Sequence, residues 1–300
     1  MQFNRFQTLA DVFMLLGLVI IGGIVFGFIG LMISLPVFHI NLENYQDILS
    51  GKTQGSIAFL KFFNLMATFG TWVVSAYALI RIRHFDARIT WQTMAPKPAS
   101  VWLMILPVFG ALLFMSVFLL ELNMSIPLPD VLKKFDSEAN KAMLNKMLVM
   151  DTTGQFIGNI LIIALAPAIF EEIFFRGTLQ KLLIHLFGNA HAGIFITAFL
   201  FAGVHLNMQQ MLPMLFIALV LGYTCYYTRS IWPGIILHFM NNAFAVIMNY
   251  LSRTSETASA LVNDEYHPPV LITILSAAVI AGFIYLISKH YNQEQTLTHE

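Results

Sequence analysis

The chain has 300 residues, 58% of them hydrophobic and only 11% charged, with a mean hydropathy of +0.74. A water-soluble domain carries roughly 25% charged residues to cover its surface, so this composition excludes an ordinary soluble fold and makes lipid the expected solvent. Sixteen Lys and Arg balance sixteen Asp and Glu, and no basic cluster or acidic tail offers a surface to nucleic acid. The single Cys225 excludes an internal disulfide and a cysteine-based metal site.

A helix needs about 20 apolar residues to cross the hydrocarbon. In chain order the expected spans are 12–35, 62–80, 101–120, 156–170, 192–204, 211–228, 231–250 and 270–288. The first follows Arg5 as a signal peptide would, but it exceeds an h-region of about 7–15 residues and lacks a cleavage signal, so it reads as a retained span. Its Gly23 and Gly27 stand in GxxxG spacing, which permits close helix packing and offers a weak hint of dimerisation. The oligomeric state is otherwise unknown. Between the third and fourth spans, in the loop 122–150, Val131, Phe135, Ala139, Ala142 and Met143 recur at near-helical spacing among charges. This suggests an amphipathic helix on the membrane or, equally, a solvated connector. The fold class expected is all-α: a polytopic membrane protein of about eight transmembrane helices, forming one membrane domain over 1–300.

Positive charge sets orientation. With both termini inside, the inner segments hold nine basic residues: Arg5, Arg81, Arg83, Arg88, Lys97, Arg176, Lys181, Arg229 and Lys289. The outer segments hold six: Lys52, Lys133, Lys134, Lys141, Lys146 and Arg253. The expectation is a multi-pass protein of the plasma (inner) membrane with cytoplasmic termini. Lys61, Glu121 and Asn64, near span edges, are expected to snorkel or cap. His185, His191 and His267 are expected to be solvated at span ends or in loops.

The spans at 156–170, 192–204 and 231–250 meet or contain ionisable groups, which are expensive at membrane depth and usually functional. Glu171-Glu172-Ile-Phe-Phe-Arg176 follows Pro167; Phe201-Ala-Gly-Val-His205 closes the fifth span; His238-Phe-Met-Asn-Asn242 lies in the seventh. Each holds a pair at i, i+4, on one helix face. Glu172 can therefore pair with Arg176, and His238 and Asn242 can point at one target. Glu171 is turned about 100° from Glu172, so the two carboxylates need not share a task. Phe187-Gly188-Asn189 reads as a helix stop. Glu171 lies 17 residues before Gly188 and His205 lies 17 after it, so an antiparallel hairpin sets them level. His238 is expected about 9 Å below Trp232, shallower than that pair unless the helices are offset.

Such a cluster suits water activation. A carboxylate among apolar residues is a stronger base than one in water, a neighbouring His can hold the same water, and a His with an Asn can donate to an oxyanion. Glu171, His205 and His238 also match a catalytic zinc set, though no HExxH sequence fixes two ligands on one helix. The residues leave the metal open.

At these positions the chain resembles the CPBP family of intramembrane endopeptidases. That family includes the type II CAAX prenyl proteases and bacterial proteins linked to bacteriocin processing or immunity. EExxxR, FxxxH and HxxxN occur in this order on successive hydrophobic segments, from about Pro167 to Asn242, which implies a peptidase core over about 153–250. The resemblance implies that Glu171 activates water with His205, that His238 and Asn242 form an oxyanion hole, and that Glu172, Arg176 and Phe201 support the site. Family members have been described both as metallopeptidases and as glutamate-dependent peptidases, so zinc stays open, with no other cofactor implied. The implied partners are a membrane-associated peptide or protein substrate and the bilayer. A non-proteolytic membrane scaffold or bacteriocin-immunity protein of the same fold is the alternative. A proton-coupled transporter could also use buried Glu and His, but the sequence shows no inverted repeat.

Overall fold

The computed structural model describes residues 5–41, 55–129, 146–252, 255–262 and 266–297. Eight principal helices occupy them: α1 (Arg5–Val37), α2 (Ser56–Ile82), α3 (Val101–Ser125), α4 (Thr153–Phe187), α5 (Ala190–Val204), α6 (Met211–Thr228), α7 (Trp232–Leu251) and α8 (Val270–Leu297). Seven helices, with the turn Met208–Gln210 counted into α6, are long and apolar enough to cross a membrane. The other, α5, has 15 residues and reaches about 22 Å, short of the ~30 Å hydrocarbon. The all-α polytopic fold therefore stands. The amphipathic helix expected between Val131 and Met143 falls outside the described residues.

Lipid tails are as apolar as leucine, so close packing and polar contacts hold these helices together more than hydrophobic burial does. Between α1 and α2 the means is glycine. A Cβ on Gly22 would strike the Gly70 carbonyl oxygen, and one on Gly70 would strike the Gly22 carbonyl and Phe26. Gly23 meets Thr71, and Gly27 faces Ala67 and Phe63. The GxxxG face hinted at dimerisation, but it is occupied within the chain. Gly22→Val is expected to lower the thermal midpoint in detergent, at a cost of about 1–3 kcal/mol for overpacking. Gly17→Val should leave it unchanged, since nothing lies within 4 Å of a Cβ at Gly17.

Two buried polar contacts join distant helices. Asp11 of α1, 1% exposed, pairs with Arg83 just past α2. Lys61 does not snorkel as expected; it is buried and donates to Asn159 Oδ1 at 2.6 Å. Asn159 in turn donates to the Met147 carbonyl, so an inter-helix partner replaces water for this ammonium. His267 is exposed and sits 2.7 Å from Glu121 Oε1.

The contacts sort the chain's turns onto two ends of the bundle. At one end Lys97 and Arg229 meet Glu294 at 3.3 and 3.8 Å, and a Cβ at Gly188 would come 3.1 Å from Arg5 Nη2. At the other, Asn123 closes α3 onto the start of α6, donating to the Met208 carbonyl and accepting from Leu212 N–H. Phe6, Phe13, Ile20, Ile24 and Phe28 remain exposed along α1, as do Val270, Leu271 and Ile274 on α8. These are lipid-facing surfaces.

Candidate active site

α4 carries the two glutamates, and its local irregularities follow from its sequence. A capping box starts it: Thr152 Oγ1 accepts from Gln155 N–H, and Gln155 Oε1 accepts from Thr152 N–H. Pro167 lacks an N–H and crowds the carbonyl four residues back. The preceding stretch Ile160–Leu165 takes the wider π-helical form, which absorbs that misfit. A second π-helical stretch, Phe175–Leu179, follows the glutamates. Such wide turns are frequent at functional sites, and these two bracket Glu171 and Glu172. Gly188 closes the helix at φ +63°, and Asn189 caps α5 by accepting from Ala192 N–H at 3.0 Å.

The hairpin brings His205, at the C-terminal end of α5, to Glu171. His205 Nε2 lies 4.0 Å from Glu171 Oε2. His205 Nδ1 donates to the Phe201 carbonyl at 2.7 Å, which leaves Nε2 as the atom facing the glutamate. His238 of α7 arrives from another direction, with Nε2 3.9 Å from the same Oε2. Glu171 Oε2 is shielded from solvent and has no hydrogen-bond partner among the described residues. Atoms 4.0 Å apart are too far for a direct hydrogen bond, yet both can lie about 2.8 Å from one bridging oxygen.

His238 is not shallower than the pair; it stands beside Glu171. The reason is a roof over the α6–α7 turn that single-span arithmetic misses. Ile231 N–H donates to the Gln92 carbonyl, Ser230 Oγ to Met94, Trp232 Nε1 to Thr93, and Lys97 N–H to Thr228. With segment 92–97 laid over it, α7 begins below the end of the bundle. Six residues past Trp232 then reach the level that 17 residues of α4 reach from Gly188.

Glu172, 0% exposed, faces away from Glu171 as the helix geometry requires. Its Oε1 accepts from Arg176 Nη1 at 2.8 Å and also from His238 Nδ1 at 2.9 Å. The second bond was not legible in i, i+4 spacing. It means that Glu172 orients His238 and fixes Nε2 as the atom presented to Glu171. Arg176 Nη2 donates to the Ala218 carbonyl at 3.1 Å, and its guanidinium lies 4.6 Å from the centre of the Phe201 ring. Phe201 also meets the rings of Phe175, His205 and His238 at 5.1, 4.9 and 5.7 Å. Asn242, one turn past His238, is half-buried, and its Oδ1 lies 3.5 Å from Asn241 Nδ2.

Gly234 is a further residue of the site. A Cβ there would press on Cys225 Sγ and come 3.2 Å from Glu172 Oε2, so its lack of a side chain lets α7 approach the buried carboxylate. The only signal for it was its place after Trp232-Pro233 at the head of α7.

Zinc can be tested against this geometry. Among the described residues no group of three His, Cys, Asp or Glu side chains is placed to hold a metal ion. Glu171, His205 and His238 approach one another but do not form such a set, so no step below is routed through a metal.

One family model matches the chain. Its description is "Type II CAAX prenyl endopeptidase Rce1-like", and it covers residues 153–244, a stretch that holds Glu171, Glu172, Arg176, His205, His238 and Asn242. No curated protein and no solved structure matches the chain. The family supports a membrane-embedded peptidase in general terms. Through residues 153–244, from the start of α4 into α7, this polytopic membrane protein is similar to the Rce1-like type II CAAX prenyl endopeptidases.

Proposed function

We propose that the chain is an intramembrane endopeptidase in which Glu171 activates a water against a peptide bond of a membrane-associated substrate. The observation that carries this reading is the convergence of two imidazole Nε2 atoms on one buried, unpartnered carboxylate oxygen among the described residues. Water held between Glu171 and His205 gives its proton to Glu171 as its oxygen attacks the scissile carbonyl carbon. The oxyanion that forms accepts hydrogen bonds from protonated His238 at Nε2 and from the Asn242 amide. Glu171 then returns the proton to the departing amine as the C–N bond breaks. His238 is suited to its part because Glu172 already neutralises its far side, through Nδ1.

The short basic segments, with Arg5, Lys97, Arg229 and Lys289 toward one end of the bundle, support cytoplasmic termini, and the plasma (inner) membrane is the membrane we propose. The substrate class is a peptide or protein at the membrane, and the family's description raises prenylated C-termini as one form of it.

The test is a comparison of peptide fragments from membranes holding wild-type protein, Glu171→Gln or His205→Ala. Fragments present with wild type should vanish with both variants. If both variants release the same fragments, the mechanism is wrong. If wild type releases no fragments of its own and both variants retain the phenotype that deletion removes, the chain is a scaffold. Cleavage is further expected to survive prolonged chelation, since every step runs on protein groups and water. Loss on chelation with recovery on added zinc would overturn that expectation.

A further inference from the structure

A cavity of about 820 Å³ lies on the side of Arg176 away from the proposed catalytic water, toward the Gly188 end of the bundle. That volume falls within the range of ligand pockets, about 300–1,000 Å³. Among the described residues Arg5, Arg176 and Lys181 line it, and no Asp or Glu does. The turn that opens α5, Gly188-Asn189-Ala190, also lines it, so the positive end of a 15-residue helix adds to the field. Arg5 Nη2 reaches that turn, and Lys181 Nζ is held on the Thr90 carbonyl.

A second observation is independent of charge. Thr8, Arg176 and Gln180 are 1%, 2% and 3% exposed, and each keeps a buried polar atom without a hydrogen-bond partner among the described residues: Thr8 Oγ1, Arg176 Nε and Gln180 Oε1. Thr90 Oγ1 is a fourth. All four residues line this one cavity. Buried polar atoms are nearly always satisfied. Gln180 Oε1 can only accept and packs against Gly222, but Arg176 Nε and the Thr8 and Thr90 hydroxyls can donate, and these three mark a space built for an anionic occupant.

From these facts the structure assigns a second binding site, for a phosphate group carried by a membrane lipid or free in solution. Arg5 and Lys181 supply its positive charge, and the α5 N-terminus and the two threonine hydroxyls add donors. Arg176 is the link between the two sites, since its Nη1 holds Glu172. An anion bound here stiffens the base of the α4–α5 hairpin that carries Glu171 and His205. The site does not rest on the peptidase reading, because none of its residues handles the proposed water.

The experiment uses the purified full chain. It is placed in phosphatidylcholine nanodiscs with or without phosphatidylglycerol, and separately in detergent titrated with inorganic phosphate. Thermal midpoint and lipid retained by native mass spectrometry are the readouts. An anionic probe is expected to raise the wild-type midpoint, with apparent affinity about tenfold weaker or more in Arg5→Gln/Lys181→Gln. Arg5→Lys/Lys181→Arg should keep most of it. Arg5→Gln alone, at the exposed start of α1, serves if loss of the Lys181–Thr90 bond impairs folding, and it too should bind more weakly. A response to phosphatidylglycerol alone identifies a headgroup, and one reproduced by inorganic phosphate identifies a free anion. Glu171→Gln should bind as wild type does, which separates this result from any loss of cleavage. No wild-type response, or equal responses from wild type and the charge-removed variants, overturns the site.

Discussion

Glu171→Gln is expected to lower the cleavage rate by about a thousandfold or more while leaving the fold intact. A positioned general base contributes about 10²–10⁴ in rate, and here the same carboxylate also delivers the proton to the leaving amine, so both halves of the reaction are lost. The fold should survive because Oε2, the atom facing both imidazoles, has no hydrogen bond among the described residues to lose. An amide of the same shape fills the same space. The measurement pairs initial cleavage rates on a responsive membrane substrate with a thermal midpoint in detergent. A Glu171→Gln variant that cleaves within about tenfold of the wild-type rate would remove Glu171 from the chemistry. His205→Ala should cost less than Glu171→Gln, since His205 only shares the water and its Nδ1 is spent on the Phe201 carbonyl.

Much of this architecture was legible because lipid imposes simple rules. Apolar runs of about 20 residues announced the helices, and Gly188-Asn189 announced the hairpin that brings Glu171 within 4.0 Å of His205. The Glu172–Arg176 pair followed from i, i+4 geometry. What stayed hidden depended on contacts between segments far apart in the chain. The level of His238 is set by the strand of backbone at 92–97 over the α6–α7 turn, which no count of residues along α7 contains. Lys61 looked like a snorkelling residue because Asn159, 98 positions away, carries no charge to advertise the bond. The GxxxG face suggested a second copy because sequence cannot show that Thr71, Ala67 and Phe63 of the same chain already fill it. The cation-lined cavity was equally invisible, since its cations come from α1 and from two turns of α4.

Removing either partner of the Glu172–Arg176 pair is expected to destabilise the protein by about 3–5 kcal/mol, the usual consequence of stranding a buried charge. Both side chains are essentially sealed, at 0% and 1% exposure, so water cannot take the place of the lost partner. Arg176→Met leaves the Glu172 carboxylate with His238 Nδ1 alone; Glu172→Leu leaves the guanidinium with only the Ala218 carbonyl and the Phe201 face among the described residues. Each single variant should show a much lower thermal midpoint in detergent. The double variant Glu172→Leu/Arg176→Met should recover most of the loss, because two apolar side chains need no partner. Cleavage should not return with it, since His238 no longer has the acceptor that fixes its Nδ1 proton and aims Nε2 at Glu171. This split between recovered stability and unrecovered activity distinguishes a residue that orients the catalytic histidine from one that only holds a helix. A double-mutant cycle on midpoint and rate measures both parts. If the double variant regains cleavage along with stability, Glu172 is a structural brace alone, and the bond to His238 does not position it.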